Sequence, residues 1–353
     1  YINPHVTFYF RPEVHMVSEE GLNAYGAVTW GQFFVYQGFN EHCGWMHTSS
    51  QADVADLYEE TIVKNKDWLF YQHEKQLRPI SIQPTTVAYK TANGSMAKKE
   101  FKVYATHHGP VMAMQEDKWI SMQSNNRSLK GLIQSWSRTK AKTFAEFKSI
   151  MDLRENVSNN TVYADGQGNI AYWHGNFMPK RDANIDWNNP VDGSTAATDW
   201  KGLHTVDETV HLYNPANGWL QNCNATPFTV AGNGSISKKK YPSYMAPDPE
   251  NFRGINAVRV LGSREKYDIN SLIVAGYDTH LAAFDILLPS LISANRTAIA
   301  DNIKPDINKA MQLLNAWDRN SSANSVATTI AIHWAERVLP YLTRGKKGPI
   351  DLP

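Results

Sequence analysis

The chain has 353 residues, with 35 Lys plus Arg against 34 Asp plus Glu, a net charge of +1. That length supports one large domain or two ordinary ones, and 42% hydrophobic with 20% charged residues excludes a disordered chain. The near-zero charge gives no general field for nucleic acid or anionic membranes, two cysteines cannot build a disulfide scaffold, and no apolar run reaches a membrane span.

The chain opens Tyr1-Ile2-Asn3, without Met, a basic stretch or an apolar stretch. It is expected to begin after a processing boundary and to be part of a longer protein. β-branched and aromatic runs predict strands at 6–10, 33–36, 85–89, 101–105, 161–163, 170–173 and 219–222. Asp165-Gly166-Gln167-Gly168-Asn169 has the residues of a hairpin turn. Thr143 and Glu146 form a capping box before Phe144, Phe147, Ile150 and Met151, which predicts a helix. Residues 179–218 and 241–249 read as long surface loops. Helical periodicity then takes over at 250–263, 270–276, 280–293, 306–318 and 325–342, and 344–349 reads as a loop. Strands followed by helices predict an α+β fold, β-rich over 1–249 and mainly helical over 250–353.

The common catalytic templates are missing. There is no Gly-x-Ser-x-Gly, no phosphate-cradling glycine loop and no paired His of a metalloprotease helix. His42, His47, His107 and His108 lack the acidic partner spacing of a zinc hydrolase, so local hydrogen bonding in loops or core is expected.

Four segments carry more. They are Asn3-Pro4-His5; Gly38-Phe39-Asn40-Glu41-His42-Cys43-Gly44-Trp45-Met46-His47-Thr48-Ser49 with Asp53-Val54-Ala55-Asp56; residues 160–172; and Asp199-Trp200-Lys201-Gly202 running on to Asn222-Cys223-Asn224. In this order they resemble the catalytic β-chain of the penicillin acylase family of N-terminal nucleophile hydrolases, which includes acyl-homoserine-lactone acylases and aculeacin acylase. The resemblance implies an αββα sandwich with an appended helical region. It implies a self-cleaving precursor whose β-chain begins with a Ser, the hydroxyl acting as nucleophile and the α-amine as base. That Ser would lie upstream of Tyr1, so the 353-residue chain alone is expected to be inactive. The implied partners are an α-chain from the same precursor and a small N-acyl substrate, an antibiotic or a quorum signal. A periplasmic or extracellular location and no organic cofactor are implied as well.

The resemblance also assigns residues. His5 would orient groups around the nucleophile. The Ser49 backbone N–H and the Asn224 amide would form the oxyanion hole, whose donors must be in place before charge develops. Asn224 also begins an Asn-Ala-Thr sequon. Arg253 would keep the amine unprotonated, against its alternative as an exposed helix Arg. Asp53 and Asp56, with the Ala55 carbonyl, match a Ca²⁺ site, although Val54 departs from the family acid; the other reading is a charged loop before a helix. Cys43 and Cys223 would be neighbours, as free thiols or, in an exported protein, a disulfide. Two alternative functions stand beside the acylase: a non-catalytic ligand-binding homologue of the same fold, and a metallohydrolase.

Overall fold

The structure, a computed structural model, describes residues 1–125, 128–297 and 305–343. The loop expected at 344–349 lies outside the described residues. The first four strands are β1 (Glu13–Ser18), β2 (Leu22–Ala27), β3 (Gln37–Asn40) and β4 (Cys43–Ser49). Then come β5 (Ala55–Asn65), β6 (Trp68–His73), β7 (Gln76–Pro79), β8 (Ser81–Lys90), β9 (Met96–Ala105), β10 (Val111–Gln115) and β11 (Lys118–Ser124). Helices α1 (Leu129–Arg138) and α2 (Phe144–Met151) precede β12 (Asn159–Asp165), β13 (Ile170–His174), β14 (Val191–Asp192) and β15 (His211–Tyr213). Five helices close the chain: α3 (Phe252–Leu261), α4 (Ile269–Gly276), α5 (Ala283–Thr297), α6 (Pro305–Ala316) and α7 (Val326–Thr343).

A seven-stranded antiparallel sheet runs β1-β2-β3-β4-β12-β13-β15. A second sheet runs β10-β11-β5-β6-β7, with β14 beside β5, and β8-β9 is a separate hairpin. Successive residues of a strand face opposite sides, so β13 sends Trp173 to one face and Tyr172 to the other. Trp173 joins Trp45, Tyr163, Phe147 and Met151 in the largest core, under α2. Tyr172 packs with Val230 and Ala231 on the other side. α5, α6 and α7 enclose a core of their own around Phe284, Leu288, Leu314 and Ala331.

Local chemistry explains most of the elements. Asp165 Oδ1 accepts from the N–H groups of Gln167 and Asn169, each at 2.9 Å, and closes the β12–β13 turn. Thr143 caps α2 by accepting from the Glu146 N–H at 3.2 Å, while the Glu146 carboxylate takes the Lys142 N–H at 2.8 Å. Gly38 sits opposite Gly26 across β2 and β3, and a Cβ there would strike the Tyr25 carbonyl oxygen and stand 2.8 Å from the Gly26 Cα. Gly38→Ala is therefore expected to cost about 1–3 kcal/mol or more, read by urea denaturation. A loss below about 0.5 kcal/mol would show that the two strands spread without cost.

Three expected strands are not strands. Residues 6–10 form a turn in which the Phe10 N–H bonds the Thr7 carbonyl and Tyr9 has φ +62°. Residues 33–36 bury Phe34 and Val35 consecutively, which breaks the alternation of a strand. Residues 219–222 lie beside 230 through the Gln221 N–H and Val230 carbonyl, without a ladder. The expected 179–218 loop contains β14 and β15. α1 was not expected, because its buried positions are Gln134 and Arg138 and its leucines face water. The five later helices fall within a few residues of their expected bounds.

Candidate functional site

β4 ends at Ser49, which is exposed. Across 175 residues of sequence, the Asn224 side-chain Nδ2 donates to the Ser49 carbonyl at 3.0 Å. Arg253, the second residue of α3, donates from Nη2 to Asn224 Oδ1 at 3.1 Å. Three of the four expected catalytic residues therefore meet at one place. One hydrogen of the Asn224 amide is used on Ser49; the other has no bond among the described residues.

Several neighbours hold Asn224 in place. Its φ is +58°, a left-handed conformation that Asn tolerates better than most residues. Its own N–H donates to Asn222 Oδ1 at 2.9 Å. Asn251, the N-cap of α3, donates its amide to the carbonyls of Cys223 at 3.1 Å and Asn224 at 3.2 Å. The same Asn251 accepts from the Gly254 N–H, so the cap of the helix and the loop before it share one side chain.

Beneath Ser49 lies a buried polar network that sequence reasoning missed. Asn160 Nδ2 lies 3.1 Å from Thr48 Oγ1, 3.2 Å from the Ser49 carbonyl and 3.2 Å from Asn222 Oδ1. Thr48 Oγ1 donates to Asn222 Oδ1 at 2.5 Å. On the other side, Asn160 Oδ1 accepts from the Tyr172 hydroxyl at 2.7 Å and meets His174 Nδ1 at 2.7 Å. Burial, with Asp248 nearby, holds the Tyr172 phenol well above its ordinary value, so it remains a donor. His174 Nε2 lies 3.1 Å from Asp248 Oδ2, off the line of a hydrogen bond, and Asp248 Oδ1 accepts from the Gln51 N–H at 2.8 Å. Thr48, Asn160, Tyr172 and Asn222 all lie in the quoted segments, but nothing in the sequence marked them as one network.

His5 makes no such contact. It is exposed, in the irregular segment before β1, with no hydrogen bond to Ser49, Asn224 or Arg253 among the described residues. The two cysteines are free. Cys43 begins β4 and Ser49 ends it, and six residues of strand span about 20 Å, so the expected neighbourhood with Cys223 is not found. Cys223 is not on a strand either. Burial raises the thiols of both, Cys43 to about 11, which keeps them protonated and poor nucleophiles. His47 is a core histidine as expected: burial, then Arg138, holds it neutral, and its Nδ1 lies 3.1 Å from Thr161 Oγ1.

Asp53 and Asp56 do converge, but on a side chain. Arg181 Nε donates to Asp56 Oδ2 at 2.7 Å, its Nη1 donates to the Asp53 carbonyl at 2.8 Å, and its Nη2 lies 3.4 Å from Asp53 Oδ1. Trp200 Nε1 donates to the same Asp56 oxygen at 2.5 Å. A guanidinium thus fills the position expected for Ca²⁺, and the residues present do not fit the ion. Ala55 opens β5 opposite Ser124, so the segment is a strand and not a helix start. Burial, opposed by Arg181, raises the Asp53 carboxyl to about 6.

A cavity of about 240 Å³ lies between α1 and the start of β12, and none of Ser49, Asn224 and Arg253 lines it. Its lining includes Tyr36, Gln134, Arg138, Glu155, Ser158 and Asn159, so one cation and one carboxylate face it. Asn159 pairs with Ser49 across β12 and β4, and the Ser158 carbonyl accepts from the Ser50 N–H. Arg138 is buried, and its Nε and Nη1 have no hydrogen-bond partner. Burial lowers its pKa to about 10, which still leaves it cationic at neutral pH.

Comparison with known proteins gives a consistent picture. The family described as penicillin amidase matches residues 2–348. Penicillin G acylase of Escherichia coli is 27% identical over 218 residues, 59% of this chain and 25% of its own length. The acyl-homoserine lactone acylase QuiP of Pseudomonas fluorescens is 24% identical over 347 residues, 92% of this chain and 40% of its own length. The chain therefore spans a quarter to two fifths of the length of these relatives. The solved structure of a thermostable penicillin G acylase from Alcaligenes faecalis covers 95% of this chain and 59% of its own, with a TM-score of 0.74 and 20% identity. That likeness gives the fold, an N-terminal nucleophile hydrolase with mixed sheets and helices.

Proposed function

Because the chain belongs to the penicillin amidase family, we propose that it is the larger part of the catalytic β-chain of an N-acyl amide hydrolase. The nucleophile is an N-terminal Ser exposed by self-cleavage of the precursor, and its α-amine is the base. The α-chain of that precursor completes the site, and the whole works in the periplasm or outside the cell. The observation that carries this reading is the contact of Asn224 with both Ser49 and Arg253.

In this mechanism the Ser hydroxyl attacks the amide carbonyl and the tetrahedral oxyanion forms between the Ser49 N–H and the free N–H of Asn224. The amine leaves with a proton from the α-amino group, and water then releases the acyl group. Arg253 holds the Asn224 amide through its oxygen, which aims the nitrogen before charge develops. It also disfavours a second positive charge on the nearby amine. The acyl chain lies in the cavity beside Asn159. Two unpartnered N–H donors on Arg138, with the Glu155 carboxylate in the same lining, favour an acyl group that carries a neutral acceptor over a plain alkyl chain.

The test uses the complete precursor and the 353-residue chain side by side. The processed protein is expected to gain the mass of an acyl group at the new N-terminal Ser when mixed with substrate. It is expected to prefer an acyl chain with a neutral acceptor at its end to an alkyl chain of equal length by about tenfold or more. The isolated chain is expected to turn over neither. Turnover by the isolated chain, abolished by a change at His5 or Asn224, would overturn the assignment of the nucleophile.

A further inference from the structure

His73 ends β6, His107 and His108 lie between β9 and β10, and Asp199 lies in the loop before Trp200. The two adjacent histidines were expected to bond locally. They reach instead to a residue more than ninety positions away. His108 Nε2 lies 3.0 Å and His107 Nε2 3.4 Å from Asp199 Oδ1, and His73 Nε2 lies 3.1 Å from Asp199 Oδ2. Three imidazoles from two segments thus turn their Nε2 atoms to one carboxylate.

We propose that His73 Nε2, His107 Nε2 and the Asp199 carboxylate form a binding site for a divalent transition cation of the Zn²⁺ type. The site is distinct from the Ser49–Asn224–Arg253 cluster, and its case does not rest on the acylase reading. The three donor atoms lie within 4.8 Å of one another. Zinc bonds to nitrogen and oxygen are about 2.0–2.1 Å, so neighbouring ligands of a tetrahedral ion stand about 3.3–3.4 Å apart. Measured to the one oxygen Asp199 Oδ1, His73 Nε2 at 3.3 Å and His107 Nε2 at 3.4 Å already have that spacing. Each imidazole binds the ion through a bare Nε2 with its proton on Nδ1, a proton from an imidazolium being released to water, and the two Nε2 atoms, within 4.8 Å of one another, draw together onto the ion.

The outer partners are those a metal site needs. Ligand histidines are usually held through their other nitrogen, and ligand carboxylates are hydrogen-bonded in turn. His107 Nδ1 lies 3.1 Å from the Tyr71 hydroxyl. Asp199 is held by His108, whose Nδ1 in turn lies 2.9 Å from Glu60 Oε1. Glu60 is completely buried and also accepts from the Thr106 and Ser121 hydroxyls, each at 2.6 Å. His108 stacks on Tyr58 at 3.6 Å between ring centres, so it cannot swing away. The side chains of His107 and Asp199 are 29% and 33% exposed, which gives the ion a path in and leaves room for a water ligand. The donor set of imidazole and carboxylate, without thiolate, suits Zn²⁺ and Co²⁺.

The test strips the complete, processed protein with a chelator and titrates it with Zn²⁺ alone, then with Co²⁺ as a visible-spectrum probe. Micromolar or tighter binding near one ion per protein molecule is expected, with an X-ray absorption signature of two imidazoles and a carboxylate. His107→Gln and Asp199→Asn are each expected to weaken Zn²⁺ binding far more than His333→Gln, an exposed control. Tyr71→Phe keeps all three ligands and is expected to lose about 10–100-fold in affinity through the outer partner alone. No uptake by the stripped parent protein overturns the proposal. So does uptake with equal affinity in the His107 and Asp199 variants, or an absorption signature without imidazole. The absorption measurement uses the unaltered protein, so a variant that fails to fold leaves the proposal still open to refutation.

Discussion

Replacing Asn224 with Ala in the complete, processed protein is expected to lower kcat by about 10²–10³, or roughly 2.7–4 kcal/mol of transition-state stabilisation. KM is expected to move much less, because the lost donor is aimed at the oxyanion and not at the ground-state carbonyl. The structure adds a complication that the sequence hid. Asn224 has φ +58°, and Ala in that conformation carries roughly 1–2 kcal/mol of strain. Asn224→Gly removes the same donor and accepts the backbone, so it separates the two effects. Both variants are expected to lose kcat alike and to lose the side-chain bonds to Ser49 and Arg253, and the Ala variant should lose more stability than the Gly variant by the backbone strain. A Gly variant within a few-fold of the parent in kcat would end the oxyanion assignment.

The second large effect is expected at Arg181. The Arg181 and Asp56 side chains are both almost fully buried, and Arg181→Ala leaves the Asp56 carboxylate with only Trp200 as a partner. Breaking a buried pair from one side typically costs about 3–5 kcal/mol. Replacing both members with apolar side chains, as in Arg181→Met with Asp56→Leu, is expected to recover most of that loss. The pH dependence has a definite sign. Asp53 has a folded pKa raised to about 6 from an ordinary 3.8, so its ionised form costs stability above about pH 6. That cost fades as pH falls through 6 toward 4. Arg181 is one of the groups that lowers the Asp53 pKa, so its removal raises Asp53 further. The Arg181→Ala deficit should therefore be largest near neutral pH and shrink toward about pH 4, as read by urea denaturation at both. A deficit that ignores pH would assign the loss to the cavity and not to charge.

How much of this was legible in the sequence varied with the kind of signal. Periodic apolar spacing marked α2 and α5 to α7, which bury apolar side chains such as Phe147, Leu288, Leu314 and Ala331, and also α4, whose Ile269, Ile273 and Val274 are exposed. α1 escaped since Gln134 and Arg138, not leucines, face inward. The aromatic run at 6–10 read as a strand, but Tyr9 turns the chain with a positive φ and the rings stay exposed. The meeting of Ser49, Asn224 and Arg253 was anticipated from the family resemblance, not from periodicity. Asn160, Asn222, His174 and Asp248 were not anticipated. They are ordinary polar residues; the pairing of β12 with β13 sets Asn160 opposite His174, and Asn222 and Asp248 come in from loops far along the chain. The acidic spacing at Asp53 and Asp56 was noticed, but nothing nearby in sequence told that Arg181 would fill the space between them.

The separation of 175 residues between Ser49 and Asn224 also has a consequence in time. At about 5–20 residues per second, a ribosome takes roughly 10–35 s to go from one to the other. β4 can pair with β12 well within that interval, since Asn159 to Asp165 are made first. Closing a loop this long is entropically slow as well, because contacts distant in sequence form after local ones. The Ser49 carbonyl and the Asn160 amide are thus expected to stand together, wet, before Asn222 and Asn224 arrive to cover them. Protection of the Ser49 region from proteolysis during refolding should accordingly lag behind protection of the β12–β13 hairpin.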